Sequence, residues 1–160
     1  MKELNVTTTF TVFDQLDELK DEERNLMDKA IEARDMAYAP YSKFKVGAAL
    51  LLANGAIVSG NNQENACYPS GLCAERVAIY SAGANYPGVP VKILAISASS
   101  ANYTVKNPAP PCGACRQSLA EYELNQKEPM VIYFMGAEGK VIRSGSVKNL
   151  LPLTFDSSFL

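Results

Sequence analysis

Between residues 21 and 38 the apolar positions recur with a helical period. Leu26, Ala30, Ala33 and Ala37 are four, three and four residues apart, and Met27 and Ile31 widen the stripe. The pattern predicts a helix from Asp21 to Tyr38, stopped by Pro40, with a small apolar face suited to close packing on a sheet. The next apolar run, Val46 to Ala53, is continuous rather than periodic. It is followed by Asn54-Gly55 and then by Ala56 to Ser59, which predicts two antiparallel strands joined by a hairpin. Residues 60 to 72 are rich in turn formers (Gly60, Asn61, Asn62, Pro69, Ser70, Gly71) and read as an ordered loop. A helix is expected from Cys73 through Ala82, a third strand at Val91 to Ser97, and a stiff proline loop at Asn107 to Pro111. A further helix is expected from Cys112 to about Glu123. Strands four and five are expected at Met130 to Met135 and Lys140 to Ser144, joined only by Gly136-Ala137-Glu138-Gly139. A parallel crossover needs about a dozen residues or more, so these two strands are predicted to be antiparallel. Residues 1 to 13 read as a short strand or loose arm, and the mixed charge run from Asp17 to Arg24 as a solvated helix face.

Composition narrows the chemistry more than it narrows the fold. The 160 residues suit one domain, and a formal charge of −2 supplies no electrostatic footprint for a nucleic-acid backbone. No run of about 18 apolar residues is present, which speaks against a membrane span. The first 20 residues lack the basic-then-apolar pattern of a secretory signal, so a cytoplasmic setting is expected. That setting disfavours disulfides and leaves the four cysteines as buried thiols or as metal ligands. There is no histidine. A Ser-His-Asp triad, a Cys-His pair and every histidine-ligated zinc site are thereby excluded within one chain.

Three of the cysteines share a geometry. Cys73 opens one predicted helix, and Cys112 and Cys115 open another, with 38 residues between Cys73 and Cys112. A helix N-terminus carries unpaired N–H groups and partial positive charge, which favour thiolate, the metal-binding form. Cys-x-x-Cys lets both sulfurs reach one ion from the first helical turn. Three sulfurs leave zinc an open position, as in catalytic sites. Glu75, two residues after Cys73, can approach that position without ligating and take a proton from zinc-bound water, whose pKa the metal lowers to about 7.

Cys73-Ala74-Glu75 followed by Pro111-Cys112-Gly113-Ala114-Cys115 resembles the zinc nucleoside deaminases, and within them the cytidine deaminases of three-cysteine, homotetrameric type. The resemblance extends from about Ala37 to Phe155. It takes in Tyr41-Ser42-Lys43-Phe44-Lys45-Val46-Gly47-Ala48-Ala49, Asn62-Gln63-Glu64-Asn65-Ala66-Cys67-Tyr68 and Leu150-Leu151-Pro152-Leu153-Thr154-Phe155. It implies an α/β fold, a three-layer α/β/α sandwich around a mixed five-stranded sheet. Residues 1–20 are then an N-terminal extension and residues 21–160 a single catalytic domain.

The implied activity is hydrolytic deamination of cytidine and deoxycytidine by zinc-bound hydroxide, in pyrimidine salvage. Cys73, Cys112 and Cys115 hold one Zn²⁺ per subunit, and Glu75 shuttles protons. Arg76 offsets the negative charge of three thiolates through hydrogen bonds to the ligand sulfurs. Phe44 packs on the pyrimidine, and Asn62 and Glu64 bind ribose hydroxyls. Ala66, Tyr68 and Phe155 complete the substrate site, Tyr68 and Phe155 from a neighbouring subunit of a homotetramer with shared active sites. Gln63 departs from the aliphatic residue usual at its position, and Cys67 is expected not to be a ligand. No nucleic-acid or membrane partner is expected. A blasticidin-type or other nucleoside-analogue deaminase is the main alternative. A polynucleotide deaminase and a non-catalytic zinc module fit less well, the first because of the short link between strands four and five.

Overall fold

A computed structural model describes residues 1–126 and 128–160. Six strands form one mixed sheet: β1 (Phe10–Phe13), β2 (Phe44–Leu52), β3 (Ile57–Asn61), β4 (Val91–Ser100), β5 (Val131–Met135) and β6 (Val141–Ser144). Three α-helices accompany them: α1 (Asp21–Asp35), α2 (Ala74–Asn85) and α3 (Gly113–Gln126). The strand order is β1-β6-β5-β4-β2-β3. Among the strand pairs of the described residues only β4 and β5 run parallel, and α3 lies in the crossover between them. β5 and β6 are antiparallel, as the short link between them requires.

The expected five strands are corrected to six. β1 lies along β6, with Phe10 opposite Ser144 and Phe13 opposite Val141. Its first three residues are exposed. A strand with so little buried surface leaves no alternation in the sequence, and only the open edge of β6 gives it a partner.

Period-two alternation divides the sheet into two buried faces, which explains why the strands read as continuous apolar runs. Ala49, Leu51, Ala95, Tyr133 and Met135 meet Leu26, Met27 and Ala30 of α1 on one side. Ala48, Leu50, Leu94, Ile96, Ile132 and Phe134 meet Ala78 and Ile79 of α2 and Leu119 of α3 on the other. The result is a three-layer α/β/α arrangement.

α1 ends at Asp35, short of the expected Tyr38. Met36 closes it, and Tyr38 instead bridges to Gln63, so Ala37 is buried by the turning chain rather than by a continuing helix. α2 and α3 each run three residues past their expected ends, Ala82 and Glu123. The hairpin turn is as read: Gly55 has φ +84°, and Asn54 Oδ1 accepts the Ala56 amide at 3.0 Å.

Close approach of α2 to the sheet depends on Gly60. A Cβ there would lie 2.5 Å from the Ala78 amide nitrogen and 2.7 Å from the Ala74 carbonyl oxygen. The missing side chain brings the first turns of α2 down on β3, and with them the residues at the helix start.

Candidate active site

Cys73 is the N-cap of α2 and accepts the amides of Arg76 and Val77 at 3.1 Å. Cys112 immediately precedes α3, and its carbonyl accepts the Arg116 amide at 2.9 Å. Both sulfurs therefore project from helix starts, where orphan amides and the helix dipole stabilise negative charge. Because α2 and α3 pack side by side on one face of the sheet, their starts meet. The sulfurs of Cys73, Cys112 and Cys115 all lie within 4.8 Å of one another. Cys73 and Cys112 are 3.8 Å apart, and Cys112 and Cys115 are 3.4 Å apart. Sulfurs bound tetrahedrally to zinc at about 2.3 Å are separated by about 3.8 Å, so the cluster fits that ion. Cys67 is exposed and lies outside this cluster, the only metal-competent one among the described residues.

The electrostatics around the sulfurs favour a shared negative charge. Hydrogen bonding from Cys115, aided by Arg76 and Cys112, brings the Cys73 thiol down to about 5 against the opposing effect of burial. The same bond, together with burial, pushes the Cys115 thiol up. Arg76 Nη2 donates to Cys73 Sγ at 3.8 Å, and the adjacent Nε is buried without a hydrogen-bond partner. A guanidinium with an unsatisfied N–H beside three sulfurs suits an anionic metal–thiolate cluster better than three neutral thiols. Glu75, in the first turn of α2, is 4% exposed. Burial, and then the neighbouring Cys73 charge, raise its carboxyl above the usual range.

These residues face a cavity of about 740 Å³, lined by Phe44, Asn62, Glu64, Tyr68, Cys73, Glu75, Arg76 and Cys112. Cys115 is fully buried beneath them. Ala66 and Phe155 do not line the cavity. Ala66 is exposed on the segment that carries Tyr68. Phe155 is 60% exposed, stacked on Phe159 with centroids 5.4 Å apart. Tyr68 is 77% exposed, with its ring 6.4 Å from that of Tyr41.

Asn62 Oδ1 accepts the Val46 amide at 2.8 Å, and Nδ2 donates to the Phe44 carbonyl at 3.0 Å. Glu64 Oε2 accepts the amides of Tyr41 at 2.9 Å and Ser42 at 3.3 Å, while Oε1 accepts the Ser42 hydroxyl. Those contacts, led by the Ser42 hydroxyl, hold the Glu64 carboxyl below its usual range. Sequence reasoning assigned no role to Tyr41, Ser42, Leu72 or Pro110, which also line the cavity. Tyr41 and Ser42 stand within three residues of Phe44, the one available signal.

A family model described as the cytidine and deoxycytidylate deaminase zinc-binding region matches residues 20–131. The cytidine deaminase of Sporosarcina psychrophila is 41% identical over 136 residues, covering 84% of this chain and 92% of that protein. That of Halalkalibacterium halodurans is 47% identical over 96 residues, 60% of this chain and 68% of that one. Among solved structures, the cytidine deaminase from Burkholderia pseudomallei superimposes with a TM-score of 0.72 at 38% identity, covering 86% of this chain and 100% of that one. With three sulfurs gathered at two helix starts and a buried glutamate beside them, this chain belongs to the cytidine and deoxycytidylate deaminase family.

Proposed function

We propose that the chain hydrolyses free cytidine and deoxycytidine to uridine and deoxyuridine with release of ammonia, a reaction of pyrimidine salvage. The observation that carries this reading is the buried Glu75 carboxyl in the wall of a cavity that Cys73 and Cys112 of the three-cysteine cluster also line. Zinc held by Cys73, Cys112 and Cys115 supplies Lewis acidity and a water acidified to a pKa of about 7.

Glu75 then does the proton work that histidine does elsewhere. It accepts one proton from the attacking water and delivers it to N3 of the pyrimidine. It then takes the second proton from the new C4 hydroxyl and passes it to the amino nitrogen, which leaves as ammonia as the C4 carbonyl forms. Its burial raises the proton affinity of the carboxylate and so assists uptake from the water. Arg76 neutralises excess charge on the sulfurs, and Phe44 supplies an apolar wall for the base.

Hydrogen-bond capacity supports the sugar-binding role of Asn62 and Glu64. Asn62 has one N–H uncommitted after bonding Phe44 and Val46. Glu64 has one acceptor position uncommitted after taking two amides and the Ser42 hydroxyl. One donor beside one acceptor suits a single hydroxyl group. Ala66 and Tyr68 extend the rim, and Phe155, which does not line its own cavity, completes a neighbour's site in a homotetramer. In this reading residues 21–160 are the catalytic domain and residues 1–20 an extension whose β1 covers a sheet edge, in a cytoplasmic enzyme. Among the described residues no helix is long and apolar enough to cross a membrane.

The test is the loss of cytidine absorbance with purified, zinc-loaded protein. Turnover of cytidine and deoxycytidine is expected. A folded, zinc-bound sample inert toward both sinks the proposal.

A further inference from the structure

β3 ends at Asn61, which pairs with Gly47; one further backbone bond, from Asn62 N to Val46 O at 3.1 Å, follows, and Phe44 and Lys45 then have no strand partner on that edge. Side chains replace the missing strand there. The Asn62 amide takes the Phe44 carbonyl, and Ser42 Oγ accepts the Phe44 amide at 3.0 Å. The hydroxyl proton of Ser42 goes to Glu64 Oε1, 22 residues away in the chain. One hydroxyl therefore bonds both the backbone of the aromatic wall and a carboxylate that lines the same cavity. The turn between them is unusual: Lys43 has φ +57°, a left-handed conformation that side-chain-bearing residues rarely adopt. Bonds on either side hold it in place, from Lys43 N to Ala39 O at 3.2 Å and from Ala101 N to Lys43 O at 3.0 Å.

We infer that Ser42 is a positioning residue for nucleoside binding, its hydroxyl fixing the spacing between the Phe44 wall and the Glu64 carboxylate. The inference rests on the reading of this cavity as the nucleoside site. Ser42 does not touch the metal ligands or Glu75 by hydrogen bond, so it acts on affinity and not on the proton transfers. In its absence Glu64 keeps its two backbone amides but loses the bond that orients Oε1, the oxygen with the uncommitted acceptor position.

The experiment compares KM and kcat for cytidine across Ser42→Ala, Ser42→Thr, Ser42→Val and Glu64→Gln, with zinc content measured for each. Losing a hydrogen bond to a charged group predicts that Ser42→Ala raises KM about tenfold while kcat stays within about twofold. Ser42→Thr, which keeps the hydroxyl, restores KM; Ser42→Val, of the same shape, does not. On a Glu64→Gln background, Ser42→Ala adds much less than its tenfold, because the two share one interaction. Unchanged KM in Ser42→Ala alongside a raised KM in Glu64→Gln overturns the inference and leaves the site reading standing. If neither variant moves KM, the site reading fails with it. A fall in kcat or zinc content in both Thr and Val variants makes Ser42 a structural residue and also overturns the inference.

Discussion

Glu75 and Arg76 are adjacent in sequence and carry opposite charges toward the same cluster. On the first turn of α2 they point a buried carboxyl into the cavity and a guanidinium at Cys73. Glu75→Ala is expected to retain one zinc per chain and to lose about 10²–10⁴-fold in kcat, the contribution typical of a positioned acid–base group. Metal analysis beside the activity assay checks this, and loss of zinc makes Glu75 a ligand instead. Glu64 allows a separate test. Its carboxyl lies below the 4.5 of an unperturbed glutamate, chiefly through the Ser42 hydroxyl, with the Tyr41 and Ser42 amides and the Lys43 charge in support. A depressed folded pKa means stability that is present above the unfolded value and lost as pH falls through the folded one. The gap in melting temperature between the wild-type chain and Glu64→Gln is therefore expected to be constant from pH 7 to about pH 5 and to close below about pH 4.5. A gap that persists to pH 3 counts against the assignment.

Helices and strands were legible where burial repeats along the chain. The α1 stripe, the Asn54-Gly55 hairpin and the antiparallel β5–β6 pair follow from local periodicity and from link length. β1 was not legible as a paired strand, because its burial pattern is nearly all exposed. Its place comes from β6, more than 120 residues later in the chain. The depth of α2 was also hidden, since a glycine in a turn-rich segment reads first as a turn. Gly60 instead marks a contact of backbone with backbone. Gly60→Ala forces α2 off β3, and overpacking of this kind costs typically about 1–3 kcal/mol. The chain is expected to melt lower and to lose zinc faster to a chelator, because Cys73 moves with α2 while Cys112 and Cys115 stay with α3. Chelation rates equal to the unaltered chain's are incompatible with that account.

The C-terminal segment is tied to the helix that bears two of the cysteines. Arg116 donates to Pro111 O and to Leu150 O, both at 2.8 Å, and Gln117 donates to Phe155 O at 2.9 Å. Phe155 is thus held against its own α3 while its ring stays outside its own cavity, which suits donation to a neighbour. Mixing Phe155→Ala chains with Glu75→Ala chains tests this. Shared sites predict more activity at low cytidine than the two parents summed, since an intact Glu75 then meets an intact Phe155. Activity equal to the sum contradicts sharing.

Sequence alone determined the class of chemistry. Zero histidines and cysteines at two helix starts, with a glutamate two residues after the first, leave carboxylate and thiolate as the working groups. These are local signals, and helix starts and turns are set by a few neighbouring residues. Tertiary structure decided the rest: the sixth strand, the closeness of three sulfurs drawn from positions 39 and 42 residues apart, and the hydroxyl shared between Phe44 and Glu64. Contacts of that separation depend on which faces pack together. Only the burial of two helices on one side of the sheet brings them within bonding distance.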